Sequence, residues 1–576
     1  MPQPRLVPPI PDLLSADPEL RVNRAELLQT LIFAFAAGSA VDAFDGALVG
    51  ATRSRSRWDR AHFAKDLFLD QLVERCLVVQ IGGRGHAVCV PYLLRAIAEA
   101  PRSPAVVAFR RAVLEELVFS KDRRTELEVC YTKIVELRTM LCAGRRTGER
   151  LRRLEILRAV HDVVGTLAGS FEGATSGLAR LRAFGQAVRE GESYRRLDAL
   201  LEHEQHLGSV DLRVQVGSDG EIRAFQIVAI RENHDNPFHA SAIGRWIAKI
   251  RLFLRGYRVD GGEVTERIFD DVFTGLEDSL VMIFQLLGDL EFHLAALGFR
   301  DLAASKGLAV CFPELVAAEG PDAKGMTLTG LFNPLLLGEK RAPVPCDIDV
   351  ARAGSVVIVT GPNSGGKTRL LQSVAFAQLL GEAGMFVPAR AARLPRVSGL
   401  FVSIVDESRA DQPEGQLGME LLRIRRMFEE LGPGSLVLLD ELCSGTNPSE
   451  GEEIARLVIS LLPELGAQVF VTTHLLHFAA RLADEKSFAR TEFLQVELDE
   501  HERATYGFVA GVARTSLAHK TAARLGVTRD ELTALIAAKK RAALGPAPSA
   551  TPQTTHPASG ATMPAAPAAA IDATGG

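Results

Sequence analysis

The sequence predicts a multidomain fold, with a long α-helical region carrying a small β-hairpin insertion and then an α/β domain built around a phosphate loop. Three observations predict it. The chain has 576 residues, enough for several cores. Up to about Lys306 apolar residues recur with a helical period, and one stretch breaks it: "VDLRVQVGSDGEIRAFQIVAI" alternates polar and apolar around Ser218-Asp219-Gly220, a hairpin pattern. After Leu331 the texture becomes strand–loop–helix, as expected of a parallel sheet with crossover helices.

Taken in order, residues 1–20 are proline-rich and read as an extended segment without a secretion signal. Residues 21–147 form an N-terminal helical region. Its most apolar run, "LLQTLIFAFAAGSAV", stops at Asp42 and is shorter than the roughly twenty residues a bilayer needs, so it reads as a buried helix and no membrane span is expected. "RRAVLEELVFSKDRRTELEVCYTKIVELRTML" is amphipathic. Residues 148–324 are a second helical region, with the hairpin at 210–230 and long helices returning from about Phe238 to Lys306. Residues 325–542 carry the α/β pattern. Residues 543–576 are Ala/Pro/Thr-rich and nearly uncharged, a composition that stays disordered.

Composition narrows the class. Hydrophobic residues make up 47% and charged residues 24%, as in ordinary soluble protein. A net charge of −5 argues against wholesale coating of nucleic acid but leaves room for a local basic groove. The seven cysteines include no CxxC, so they read as reduced core thiols of a cytosolic protein.

The chemistry concentrates in "VVIVTGPNSGGKTRLL", 356–371. Gly361, Pro362, Asn363, Ser364, Gly365, Gly366, Lys367 and Thr368 fit G-x-x-x-x-G-K-[ST]. Glycines let backbone N–H groups turn toward phosphate oxygens, and a helix starting near Lys367 points its positive end at them. Lys367 suits the β- and γ-phosphates, and the Thr368 hydroxyl suits Mg²⁺. A second apolar strand, "SLVLLDEL", ends in Asp440-Glu441, where an acid is expensive unless it faces a cation or water. Asp440 fits a carboxylate on Mg²⁺ and Glu441 a base for the attacking water; the plainer alternative is an acid pair capping a helix. "QVFVTTHLLHF" is a third strand ending at His474, either a γ-phosphate sensor or a structural histidine.

In this order and spacing, "TGPNSGGKT", "LLDELCSGTNPSEG" and "VTTHLLHF" resemble the MutS family of DNA mismatch-repair ATPases. "GVARTSLAHKTAARLGV", Gly511 to Val527, is similar to that family's helix-turn-helix near the ATPase C-terminus. "LGDLEFHLAALGFRDLAASKGLAVCFPEL" resembles the end of its lever helix, and "LFNPLLL" its His-Pro segment, with Asn333 in the histidine position. The resemblance implies a helical core and lever region followed by a P-loop, ABC-like ATPase domain, with ATP and Mg²⁺ as cofactors. It implies a homodimer joined through the ATPase domains, in which the loop bearing Ser444, Gly445 and Thr446 caps the partner's nucleotide. Tyr506 falls where the family often has an aromatic or histidine, so it reads either as a ring on which adenine stacks, with Pro343-Val344 opposite, or as a plain exposed tyrosine. The 210–230 hairpin sits where the family inserts a DNA clamp between levers, and reads equally as a plain core hairpin.

Departures shape the functional expectation. Asn447-Pro448 stands where mismatch-recognising members have Ser-Thr, closer to the branch that suppresses recombination or acts on stalled ribosomes; that branch's Smr module is not in this sequence. No aromatic-x-Glu wedge is found, and Phe312-Pro313-Glu314 matches a structural "PEL". "EGQLGMEL" replaces the usual Ser-Thr-Phe. Arg145, Arg146, Arg150, Arg152, Arg153 and Arg158 form the densest basic stretch, a DNA contact or a solvated helix face. The expectation is a DNA-binding ATPase that moves levers on double-stranded or branched DNA in mismatch repair or related maintenance. It would be cytoplasmic and nucleoid-associated when bound. The alternative is an ATP-switched assembly, recombination or ribosome-quality factor that kept the motor. A transporter-type or chromosome-organising ATPase is disfavoured, since no LSGGQ-like stretch precedes "LLDEL".

Overall fold

The computed structural model describes residues 8–543 apart from 40, 53–55, 57, 144–148, 207–208, 217–221, 232–260, 318–323, 405–415, 444–446, 486–489, 515–522 and 524. Among them the first half is helical. Helices α1 (Arg24–Ala37), α2 (Val41–Val49) and α3 (Leu69–Cys76) lead to a short ladder of β1 (Val79–Ile81) and β2 (Arg84–His86). Then come α4 (Val90–Ala98), α5 (Pro104–Phe119), α6 (Lys121–Cys142), α7 (Glu149–Gly169), α8 (Leu178–Glu190) and α9 (Glu192–His206). Strands β3 (Ser209–Val216) and β4 (Ile222–Arg231) pair antiparallel as the alternation predicts, while the turn at Ser218-Asp219-Gly220 lies outside the described residues. Helices α10 (Gly261–Gly275) and α11 (Glu277–Ser305) complete this half.

Local chemistry sets the boundaries. The Asn23 side chain accepts from the Ala25 and Glu26 amides to start α1, and Gly38 at φ 87° ends it. The apolar run in α1 is half-buried, which corrects the expectation of a buried helix. Leu27, Leu31, Ala34 and Phe35 face the core, whereas Ile32 and Phe33 are exposed. The amphipathic stretch 110–141 is two helices, because Ser120 turns extended and its hydroxyl caps α6 at Arg123.

Helix α11 is the axis of this half. Every residue from Leu280 to Leu297 is buried, against α1, α4, α5 and α6 among others. It is long and apolar enough to cross a membrane, yet its apolar window lies wholly inside the protein. Four polar side chains, Gln285, Asp289, Glu291 and His293, are buried along it. The proline-rich N-terminal segment docks on the first two of them. Arg21 Nη2 reaches both Asp289 oxygens at 2.6 and 2.7 Å, Tyr92 donates to Asp289 at 2.9 Å, and Gln285 Oε1 accepts from the Arg21 amide at 2.6 Å. Asp12, also buried, lies 3.2 Å from Arg21 and caps the Leu14 amide at 2.7 Å. Within the described part of the 1–20 segment, Asp12, Leu13 and Leu14 are buried in the core.

The second half contains β5 (Glu314–Val316), β6 (Thr327–Leu331), β7 (Cys346–Asp349), β8 (Val356–Thr360), β9 (Ala391–Pro395), β10 (Leu400–Ser403), β11 (Leu436–Leu439), β12 (Gln468–Thr473), β13 (Thr491–Leu498) and β14 (Ala504–Ala510). Its helices are α12 (Lys367–Ala383), α13 (Gln416–Glu430), α14 (Pro448–Leu461) and α15 (Leu476–Glu485). The main sheet has the order β10-β11-β12-β8-β13-β14, parallel except for β14. A smaller sheet, β5-β9-β6-β7, lies upstream of and around it in sequence.

Alternation in β8 divides two cores. Val357 and Val359 face a core continuous with the helical half, whereas Val356 and Ile358 face a core formed with α13, α14 and α15. Helix α12 is buried nearly throughout, so the phosphate loop rests on a helix gripped by the helical half. Arg110 of α5 donates to Ala383 O at its end and to Leu14 O, and Trp58 Nε1 donates to Val397 O at 3.3 Å.

Met1–Ser516 is one compact unit and Leu517–Gly576 another. In the second, α16 (Arg529–Ala543) starts with a capping box in which Thr528 Oγ1 and Glu531 bond reciprocally. Most of the Gly511–Val527 stretch and the whole of 544–576 fall outside the described residues.

Candidate nucleotide site

Strand β8 delivers the chain to a loop that only particular residues can trace. Gly361 has φ 144°, and a Cβ there would sit 2.6 Å from Val496 Cγ2. Gly366, at φ 93°, opens α12 directly before Lys367, so the helix starts where the sequence places it. Of the seven non-glycine residues with positive φ among the described residues, Ser364, Glu441, Cys443 and Tyr506 all belong to this site or its flank. Such backbone strain gathers where function over-determines geometry.

A cleft of about 550 Å³ runs beside the loop. Asn363, Ser364, Gly365, Gly366, Lys367 and Thr368 line one end, with Glu441 beside them. Gly361 and Pro362 stand behind it, their carbonyls accepting Lys367 Nζ at 3.0 and 3.2 Å. Burial holds the Lys367 ammonium below its ordinary pKa, partly offset by Glu441 and Asp440. At the other end Pro343, Val344, Tyr506 and Phe508 form an apolar wall, with the Tyr506 ring edge 3.4 Å from where a Gly366 Cβ would stand. The tyrosine and the proline-valine pair predicted to face each other thus line one cavity.

Asp440 follows β11 directly, and its Oδ2 accepts from Thr368 Oγ1 at 2.6 Å. Its Oδ1 accepts from Thr472 Oγ1, and the same hydroxyl accepts from the Glu441 amide at 2.9 Å. His474 Nδ1 lies 3.7 Å from Glu441 Oε2, both side chains about two-fifths exposed at 39% and 36%. These are hard oxygen donors of the kind Mg²⁺ takes beside phosphates, so Thr368 and Asp440 fit that ion. Among the described residues, no group of three or more His, Cys, Asp or Glu could hold a metal.

Sequence reasoning missed two participants. Thr472 read as an ordinary strand residue; its signal is a hydroxyl one position past the register of Asp440's neighbour Leu439 with Val471. Asn333, noted for its place, caps the Pro334–Leu336 turn and donates to Arg369 O and Gln372 Oε1, both at 3.2 Å, tying that turn to α12. Ser444, Gly445 and Thr446 lie outside the described residues. In the basic stretch, Arg145 and Arg146 do as well. Arg152 is buried and bonds the Ala34, Phe35, Leu141 and Ala143 carbonyls, and Arg153 is buried against Asp270 and Phe35. Neither arginine is a solvated face.

A parallel sheet in this order, with a phosphate loop after its central strand β8 and an acid pair at the tip of β11, defines a P-loop nucleotide-binding protein. The MutS domain V family matches residues 357–538. "Endonuclease MutS2" of Thermomicrobium roseum is 33% identical over 278 residues, 46% of this chain and 33% of that protein. The proteins of the same name from Pelotomaculum thermopropionicum and Thermus thermophilus are 35% and 32% identical, over 43% and 42% of this chain and 31% of each relative. The match thus spans about a third of the length of these relatives. The matched region, 357–538, is that of a MutS-family protein.

Proposed function

We propose that the chain binds and hydrolyses ATP with Mg²⁺ and couples the nucleotide state to binding of double-stranded or branched DNA. The observation that carries this is the Thr368–Asp440 pair, 2.6 Å apart beside a cleft that Glu441 also lines. Loop amides and Lys367 bind the phosphates, while Pro343, Val344 and Tyr506 face the base. Bound Mg²⁺ supplies charge neutralisation at the phosphates, held by Thr368 and Asp440. Glu441 takes the proton of the attacking water, and His474, beside it, orients it. Ser444, Gly445 and Thr446 of a second copy close the site, so ATP favours a homodimer, and hydrolysis releases it. The work is done in the cytoplasm, in mismatch repair or related DNA maintenance. Cleavage is named for the relatives; the shared region is the motor, and the motor is what we carry over.

The second reading is an ATP-switched assembly, recombination or ribosome-quality factor. It is favoured by Arg152 and Arg153, which spend their guanidiniums inside the fold and not on phosphate. The test measures retention on homoduplex, mismatched duplex, four-way junction and ribosomes, across salt, with and without a slowly hydrolysed ATP analogue. K367A, expected to lose about 100-fold in nucleotide affinity, serves as control. Nucleotide-dependent, salt-sensitive DNA retention is expected. Ribosome binding without DNA binding selects the second reading, and no nucleotide binding by the unsubstituted chain removes both.

A further inference from the structure

Thr472 hydrogen-bonds both acidic residues of the site, the carboxylate of Asp440 and the backbone amide of Glu441. It is fully buried on the central strand β12, beside β11. Its hydroxyl donates to Asp440 Oδ1 and accepts from the Glu441 amide at 2.9 Å. A hydroxyl has one proton to give, so this pattern fixes its rotor. The Glu441 backbone has φ 51°, a left-handed conformation that strains a non-glycine residue. The bond from its amide opposes relaxation of that turn. Asp440 is meanwhile held from two sides, by Thr472 on Oδ1 and Thr368 on Oδ2.

We propose that Thr472 is a positioning residue: one buried hydroxyl aims the metal-side carboxylate of Asp440 and holds the strained turn that presents Glu441 to the cleft. The inference rests on the ATPase reading above. It gives Thr472 no contact with substrate; it acts through its two neighbours. Valine has the same shape without the hydroxyl, so T472V strands Asp440 Oδ1 and the Glu441 amide together while leaving the phosphate loop in place. Serine restores the hydroxyl without the methyl.

The experiment compares the unsubstituted full chain with T472V, T472S and T472A in three measurements: ATP turnover against Mg²⁺ concentration, affinity for a fluorescent ATP analogue, and Mn²⁺ binding in the presence of a non-hydrolysable analogue, followed by electron paramagnetic resonance. T472V is expected to lower kcat about 10- to 100-fold and raise the Mg²⁺ half-saturation about 10-fold, the range for removing a ligand's supporting hydrogen bond. Nucleotide affinity should hold within about threefold, since the loop amides and Lys367 are untouched. T472S should recover most of both losses. Should T472V not fold, T472A takes its place against T472S. The proposal is overturned if the hydroxyl-free variant keeps wild-type kcat and Mn²⁺ affinity, or if T472S is as impaired as it is. An unsubstituted chain that turns over no ATP defeats the ATPase reading; the Mn²⁺ comparison then decides Thr472 by itself.

Discussion

Asp289 and Asp440 are both acids set into apolar surroundings, and their partners differ in kind. Asp289, inside the helical half, meets a guanidinium, a phenol and a backbone amide, so its charge is balanced within the fold. Asp440, at the tip of β11, has hydroxyls on both oxygens, from Thr368 and Thr472. Hydroxyls orient a carboxylate without neutralising it. The first arrangement pins a segment; the second keeps a charge in a fixed direction for a cation to use. Two aspartates, one fully buried and one half-buried at a strand tip, thus separate architecture from chemistry by what bonds them.

Substitutions can break that contrast, and the largest effect is expected in the cleft. E441A should keep nucleotide affinity and lower turnover about 10²- to 10⁴-fold, the range for losing a general base; steady-state hydrolysis near the wild-type rate would remove Glu441 from that role. Next is R21A in the helical half, which leaves Asp289 and Asp12 buried without their cation. Denaturant unfolding should show a loss of about 3–5 kcal/mol with nucleotide affinity unchanged in the folded protein. A loss below 1 kcal/mol would mean that the Arg21 network is incidental.

Glu291 sharpens the comparison as a buried acid with neither arrangement. Its Oε2 accepts from the Cys89 amide at 2.9 Å, and burial pushes its pKa up from 4.5 to about 7. A folded-state value above the unfolded one means that its stabilisation is complete below about pH 4.5 and is lost as pH rises through about 7. E291Q should therefore gain stability over the parent on going from pH 5 to pH 8, on the order of 2 kcal/mol. Parallel stability–pH curves for the two chains would contradict this. The smallest effect is expected at the apolar end of the cleft, where Y506A should weaken ATP binding by about 1 kcal/mol, or roughly fivefold. An unchanged affinity would take the ring out of the site.

What the sequence disclosed was the chemistry whose partners are neighbours in the chain. The phosphate loop, the acids after an apolar strand and the histidine after another are local patterns, and each lies at the strand end or helix start expected of it. The hairpin strands were legible for the same reason. What escaped were pairings across long separations. Arg21 with Asp289, and Arg152 with the ends of α1 and α6, look in sequence like stray charges on polar segments, because their partners lie more than a hundred residues away or across a helix turn-back. Thr472 escaped because a threonine in a strand is ordinary until its hydroxyl is seen between two carboxylate-bearing residues.

Helix α11 has a consequence for biosynthesis. Its segment would be sticky if released bare into water, and attractive to machinery that inserts hydrophobic spans. Yet α1, α4, α5 and α6, which cover it, are all translated earlier. The ribosome thus makes the sheath before the blade, and a nascent chain that has already collapsed can swallow this stretch as it emerges.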